Sequence, residues 1–131
     1  MEQYVITFDE IRALLAEQQY SDDDITELEK AFEFARKLHS GQYRVSEEPY
    51  IIHPMEVVKI LIGLRADKHT LMAGFLHDIL EDTDTKPEEI KELFGEDVLN
   101  LVQGVTKLGK LQFKSTEERQ AENFRRMLIA M

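Results

Sequence analysis

The stretch DKHTLMAGFLHDILED, residues 67–82, decides the fold of this chain. Asp67 is a helix-capping residue type, and Leu71, Ala73, Gly74, Phe75, Leu76, Ile79 and Leu80 follow it with apolar side chains almost all round the helix. A helix that is apolar on every side and too short to cross a bilayer belongs in the middle of a helical bundle. The spacing therefore predicts a fourth, buried helix that ends on the polar run His77-Asp78-Ile79-Leu80-Glu81-Asp82.

The flanking sequence supplies the partners such a helix needs. Phe8, Ile11, Leu14 and Leu15 mark a short first helix. Ser21 is placed to cap a second, in which Ile25, Leu28, Phe32, Ala35 and Leu38 recur at helical spacing and which should stop near Gly41. Residues 41–52 read as an irregular loop. Pro54 suits the first turn of a third helix, where its missing N–H costs nothing, and Val57, Ile60, Leu61 and Leu64 give that helix its apolar face. Thr85 and Glu88 match a Thr-x-x-Glu capping box for a fifth helix ending at Gly95. A sixth is expected from about Glu96 to Thr106, then a basic glycine-containing stretch (KLGKLQFK), then a last helix from about Thr116. No segment alternates as a strand does, so the expected fold class is all-α.

The chain has 131 residues, enough for one domain with a core of its own. Its 16 basic against 26 acidic residues give a formal net charge of −10, which disfavours DNA and anionic membrane as partners. A small phosphorylated ligand stays open, because a metal ion and a few local cations can hold one. The chain has no cysteine, which excludes disulfides, thiolate-ligated zinc, iron–sulfur clusters and cysteine nucleophiles. With no signal-peptide pattern and no membrane-length apolar run, a cytoplasmic location is expected.

In HDILED, His77 and Glu81 are four apart, as are Asp78 and Asp82, so a continuous helix would bring all four to one broad face. These charges beside Phe75, Leu76, Ile79 and Leu80 would be costly to bury unpaired, and a divalent cation removes that cost. A solvated acidic helix end would look the same in isolation; the nearly all-apolar run before it favours a site. His53, just before Pro54 at a helix entrance, is a second candidate ligand, although a lone histidine at a helix start is more often a capping or packing residue. His39 reads as structural, facing the C-terminal dipole of its helix, and His69 has no assigned role. Arg44 could meet a phosphate or a base, or pair with Glu47 or Glu48. Lys107, Lys110 and Lys114 form a basic cluster that suits a solvated face or a phosphate-facing loop.

The segments AFEFARKLHSGQYRVSEEPYIIHPMEVVKIL, AGFLHDILEDTDT, LVQGVTKLGKL and AENFRRMLIAM resemble the N-terminal hydrolase domain of the RelA/SpoT homologue family, over about Ile25 to Met131. That family makes and degrades the guanosine tetra- and pentaphosphate alarmones of the stringent response. The resemblance implies an HD-domain-like helical bundle, with residues 1–24 as an N-terminal helical extension. It implies one divalent ion, typically manganese (Mn²⁺), on His53, His77 and Asp78. It gives Glu81 and Asp82 the orientation or deprotonation of water, and Arg44 and Ser46 contacts to the guanine nucleotide. The implied reaction removes the 3′-pyrophosphate of ppGpp or pppGpp. Imidazole and carboxylate donors suit such a hard, oxygen-tolerant ion.

Two departures from the pattern stand out. Val45 follows Arg44 where many relatives carry a second basic residue. The family's fourth metal ligand is an aspartate in a later motif resembling LADRLHNMR, and these residues stop before it. Phe124, Met127, Leu128 and Met131 keep helical spacing to the end, so the last helix reads as interrupted and its apolar face as a surface for self-association. The bundle is accordingly expected to be incomplete at its C-terminus and weak or inactive as a hydrolase by itself. The alternatives are a non-catalytic hydrolase-like module with a regulatory or interaction role, and a generic HD nucleotide phosphohydrolase.

Overall fold

A computed structural model describes residues 6–42 and 49–111, with side chains up to residue 105. Within these residues the chain forms α1 (Asp9–Glu17), α2 (Asp22–Leu38), α3 (Ile52–Gly63), α4 (Lys68–Leu76), α5 (Ile79–Asp82), α6 (Pro87–Phe94) and α7 (Glu96–Leu111), and no β-strand is among them. Arg44, Ser46, Lys114 and the apolar positions Phe124, Met127, Leu128 and Met131 lie outside the described residues.

The all-α expectation holds, and α4 is the central element. Every residue from Thr70 to Leu76 is buried. The helix packs against α2, α3 and α7, while α1 covers α3 and α6 lies on α7. Phe75 of α4 is fully buried and meets Phe32 edge-on at 5.8 Å and Phe8 at 6.3 Å, joining the first, second and fourth helical segments in one aromatic cluster. At Gly74 the third and fourth helices pack tightly: a Cβ there would stand 3.0 Å from Val58 and 3.2 Å from Leu61, both buried.

Several local expectations are met. Ser21 caps α2, its hydroxyl accepting from the Asp24 N–H at 3.1 Å, and Asp22, Asp23 and Asp24 in the first turn complement the helix dipole. The chain leaves α2 at Leu38 and turns through Gly41 at φ +81°, a conformation that favours glycine. Asp67 occupies the cap position of α4, where its carboxylate accepts from the Thr70 hydroxyl.

Three local expectations are corrected. The fourth helix does not run to Asp82: it ends at Leu76, and after a turn at His77–Asp78 the single-turn α5 begins. Asp78, at φ −95° and ψ −5°, stays right-handed at the edge of the helical region. The Thr85–Glu88 capping box does not form, because Pro87 is the first residue of α6. The residue before a proline avoids the α region, so Lys86 stays extended at ψ 150° and becomes the cap position. Thr85 instead accepts a hydrogen bond from the Thr83 hydroxyl at 2.9 Å. Lastly, α7 does not stop at Thr106 but continues to Leu111, so Lys107 and Lys110 belong to a helix. Lone Gly109 is not sufficient to end it.

Candidate metal centre

Three side chains from two helix ends meet inside the bundle. His53 stands in the first turn of α3; His77 and Asp78 form the turn between α4 and α5. One donor atom from each lies within 4.8 Å of the others. Asp78 Oδ2 is 3.1 Å from His77 Nε2 and 3.5 Å from His53 Nε2, and the two imidazole centroids are 5.3 Å apart. His77 and His53 are 2% and 6% exposed, so this is an interior cluster.

Tautomer and orientation suit a metal ion. His77 Nδ1 lies 2.7 Å from the Gly74 carbonyl oxygen, which can only accept, so Nδ1 carries the hydrogen. Nε2 is thereby directed at Asp78 and His53. Imidazole ligands of metals are commonly held in this way, with the second ring nitrogen donating to a backbone carbonyl. Two nitrogens and one carboxylate oxygen, with no thiolate, fit a divalent first-row ion. Three protein donors also leave room for the further ligands that a reactive site needs.

The electrostatics agree. Burial by itself would raise the Asp78 pKa, but the adjacent His77, then His53 and His39, outweigh it and hold the carboxyl down at about 2. Burial would likewise lower His77, yet the charge of Asp78 and its hydrogen bond push the imidazole above its ordinary value of 6.5. The sign for metal binding follows. A proton on His77 Nε2 competes with the ion while Asp78 stays ionised, so affinity should fall as pH drops through the raised His77 pKa, by about tenfold per unit for one proton. Mn²⁺ titration calorimetry between about pH 5 and 8 should show this decline. A flat profile over that range would count against Nε2 as a donor.

The predicted site residues divide. His53, His77 and Asp78 come together. Glu81 and Asp82 do not share a buried face with them: both are exposed, on the short α5 that follows the turn. The face expected from i, i+4 spacing fails because the helix is interrupted at His77–Asp78. Asp82 remains close enough for its charge to raise the His77 pKa, and it borders an open cleft of about 480 Å³ with Gln42, Thr83 and Thr85. Arg44 and Ser46 fall outside the described residues. His69 is 42% exposed in its side chain and lies 4.0 Å from Asp97, away from the cluster.

Three residues at the site were not assigned to it from sequence. Tyr50 donates from Oη to Asp82 Oδ2 at 2.5 Å. Gln42 Nε2 donates to the Asp82 carbonyl at 3.0 Å. His39, expected only to face a helix dipole, stacks on Tyr50 at 4.7 Å and contributes to the lowered Asp78 pKa. The His-Pro step after Tyr50 was the available signal for that residue. Nothing local marks Gln42.

Residues 31–131 match the HD domain family. Over 102 residues the chain is 56% identical to a Synechocystis protein named probable guanosine-3′,5′-bis(diphosphate) 3′-pyrophosphohydrolase, covering 78% of this chain and 13% of that one. A Myxococcus xanthus protein named GTP pyrophosphokinase is 49% identical over 117 residues, 87% of this chain and 16% of its own length. The chain thus spans about a sixth or less of these curated relatives. Among solved structures, a metazoan SpoT orthologue described as hydrolysing ppGpp superposes with a TM-score of 0.62 at 29% identity, covering 82% of this chain and 66% of that one. With a buried histidine–aspartate cluster in an all-helical bundle and the family match over most of its length, the chain belongs to the HD-domain family.

Proposed function

We propose that this chain carries the metal-holding part of a (p)ppGpp 3′-pyrophosphohydrolase site. The observation that carries the reading is the buried His53–His77–Asp78 donor set, in a chain about half identical to proteins named for this activity or for alarmone metabolism. The reaction consumes one water: ppGpp gives GDP and pyrophosphate, and pppGpp gives GTP and pyrophosphate. The ion proposed is Mn²⁺; when bound, it supplies Lewis acidity that makes water more acidic and offsets phosphate charge. His53 and His77 offer it neutral nitrogens, and Asp78 an anionic oxygen. Asp82 and Glu81, beside the cluster on α5, orient the attacking water and take its proton, a task that requires hydrogen-bond reach. Arg44 and Ser46 contact the guanine nucleotide in this reading, which sets the protein in the cytoplasm. Among the described residues, no helix is long and apolar enough to cross a membrane.

The test is an assay with Mn²⁺ and ppGpp: GDP and pyrophosphate are expected in equal amounts, only slowly from these 131 residues by themselves, and none after chelation. Orthophosphate released from other nucleotides, with ppGpp untouched, would point to a generic nucleotidase. A second reading is a hydrolase-like module that does not turn over ppGpp. It is favoured by the M. xanthus relative, which is named for pyrophosphate transfer rather than hydrolysis. Tight Mn²⁺ binding without GDP formation would support it.

A further inference from the structure

Asp82 sits at the end of a four-residue helix, and Thr83 after it is already extended. An exposed carboxylate there has little of its own to hold it in one place. Two residues reach it from a distant part of the sequence. Gln42 follows α2, and the N–H of Tyr50 donates to its carbonyl at 2.9 Å. The side chains of both then close on Asp82: Gln42 on its carbonyl at 3.0 Å, Tyr50 on its carboxylate at 2.5 Å. His39 lies against the pair. Its Nδ1 is 3.0 Å from Gln42 Oε1, and its ring stacks on Tyr50. The Gln42 amide is therefore oriented, accepting from His39 and donating to Asp82. The Tyr50 phenol keeps its proton: burial first, then the charge of Asp78, the bond to Asp82 and a further hydrogen-bond interaction with Asp78, push its pKa far above the ordinary value of 10.0.

We propose that Tyr50 is a positioning residue for Asp82: supported by Gln42 and His39, it fixes the carboxylate at the edge of the metal cluster. The inference rests on the reading in which Asp82 handles the attacking water. The 2.5 Å hydrogen bond places the action of Tyr50 at Asp82, outside the donor set; the phenol also interacts with the ligand Asp78, so the Mn²⁺ Kd is read beside kcat. Misplacing a catalytic group by about 1 Å costs up to about 100-fold in rate.

Tyr50→Phe removes one oxygen and keeps the stack on His39. At saturating Mn²⁺, kcat for ppGpp should fall about 10–100-fold, while KM and the Mn²⁺ Kd stay within about threefold. Asp82→Ala should fall at least as far, and adding Tyr50→Phe to it should lower kcat no more. An equal further loss in the Asp82→Ala background overturns the proposal. So does Mn²⁺ binding weakened about tenfold, which would place the effect at Asp78. Thermal unfolding of the same four proteins without Mn²⁺ reads the contact independently of activity. The Tm loss from Tyr50→Phe should appear in the parent and vanish with Asp82→Ala; additive losses overturn the contact. If the parent protein leaves ppGpp intact, the functional reading fails, and the unfolding cycle alone decides whether Tyr50 holds Asp82.

Discussion

Replacing His77 with alanine is expected to abolish both metal binding and hydrolysis. The Mn²⁺ Kd should weaken by more than the roughly 100-fold seen when only an outer partner is lost, because a donor atom itself is removed. Hydrolysis of ppGpp should fall about a thousandfold or more, since residues that act as one unit lose nearly everything together. His77 is singled out over His53 for two reasons: it approaches Asp78 more closely, at 3.1 Å against 3.5 Å, and its Nδ1–H is fixed on the Gly74 carbonyl. The substitution also takes from Asp78 its strongest compensating partner, and removing one member of a buried ion pair costs roughly 3–5 kcal/mol. Loss of activity could then reflect unfolding. Asp78→Asn separates the two effects. It keeps the shape and removes the anionic donor, so metal affinity should collapse while far-UV circular dichroism stays near the parent's. Retention of Mn²⁺ affinity within about threefold in both variants would remove the cluster from the mechanism.

The pH dependence of the metal-free fold follows from the same pair. Asp78, held down at about 2, contributes stability that is complete above its unfolded value and is lost as pH falls toward about 2. His77, pushed up, contributes below its unfolded value, and that share disappears as pH rises through its folded pKa.

The central helix and its burial were legible in the sequence because Leu71 to Leu76 are apolar on every side, and no tertiary detail is needed to interpret that. The His77–Asp78 pair was legible as chemistry for a related reason: charges following such a run have to be compensated. The break between α4 and α5 was not, since neither glycine nor proline marks it. The turn is a tertiary outcome, in which Asp78 meets two imidazoles, one of them from α3. This is why Glu81 and Asp82 lost the common face that a continuous helix would have given them. The failed capping box has a local cause that could have been weighed: Pro87 forbids helical geometry at Lys86. Gln42 and Tyr50 are different. They touch Asp82 across 40 and 32 residues of sequence, and a glutamine or tyrosine in a loop has no periodicity to indicate its target.

The second large effect concerns the fold that brings these residues together. Phe75→Ala is expected to cost about 3–5 kcal/mol, as full truncation of a buried aromatic side chain usually does. Phe75 has no exposed surface and lies on the helix that touches α2, α3 and α7. Its ring contacts Phe32 and Phe8, so truncation opens a cavity between three elements rather than at an edge. The neighbours on α3 cannot easily close it, because Val58 and Leu61 are already packed against Gly74, one residue away. At the low end of the about 5–15 kcal/mol typical of a domain, this loss would leave a measurable unfolded population at ambient temperature. Urea unfolding of the metal-free protein measures it, and a loss below about 1 kcal/mol would show that Phe75 does not anchor the bundle. Mn²⁺ adds a second check. An ion that binds only the folded form stabilises by about 2.7 kcal/mol at a hundred times its Kd, so saturating Mn²⁺ should restore much of the folded fraction of Phe75→Ala and none of that of His77→Ala. Because Phe75 and His77 are only two residues apart, that contrast separates the residue that builds the fold from the one that holds the ion.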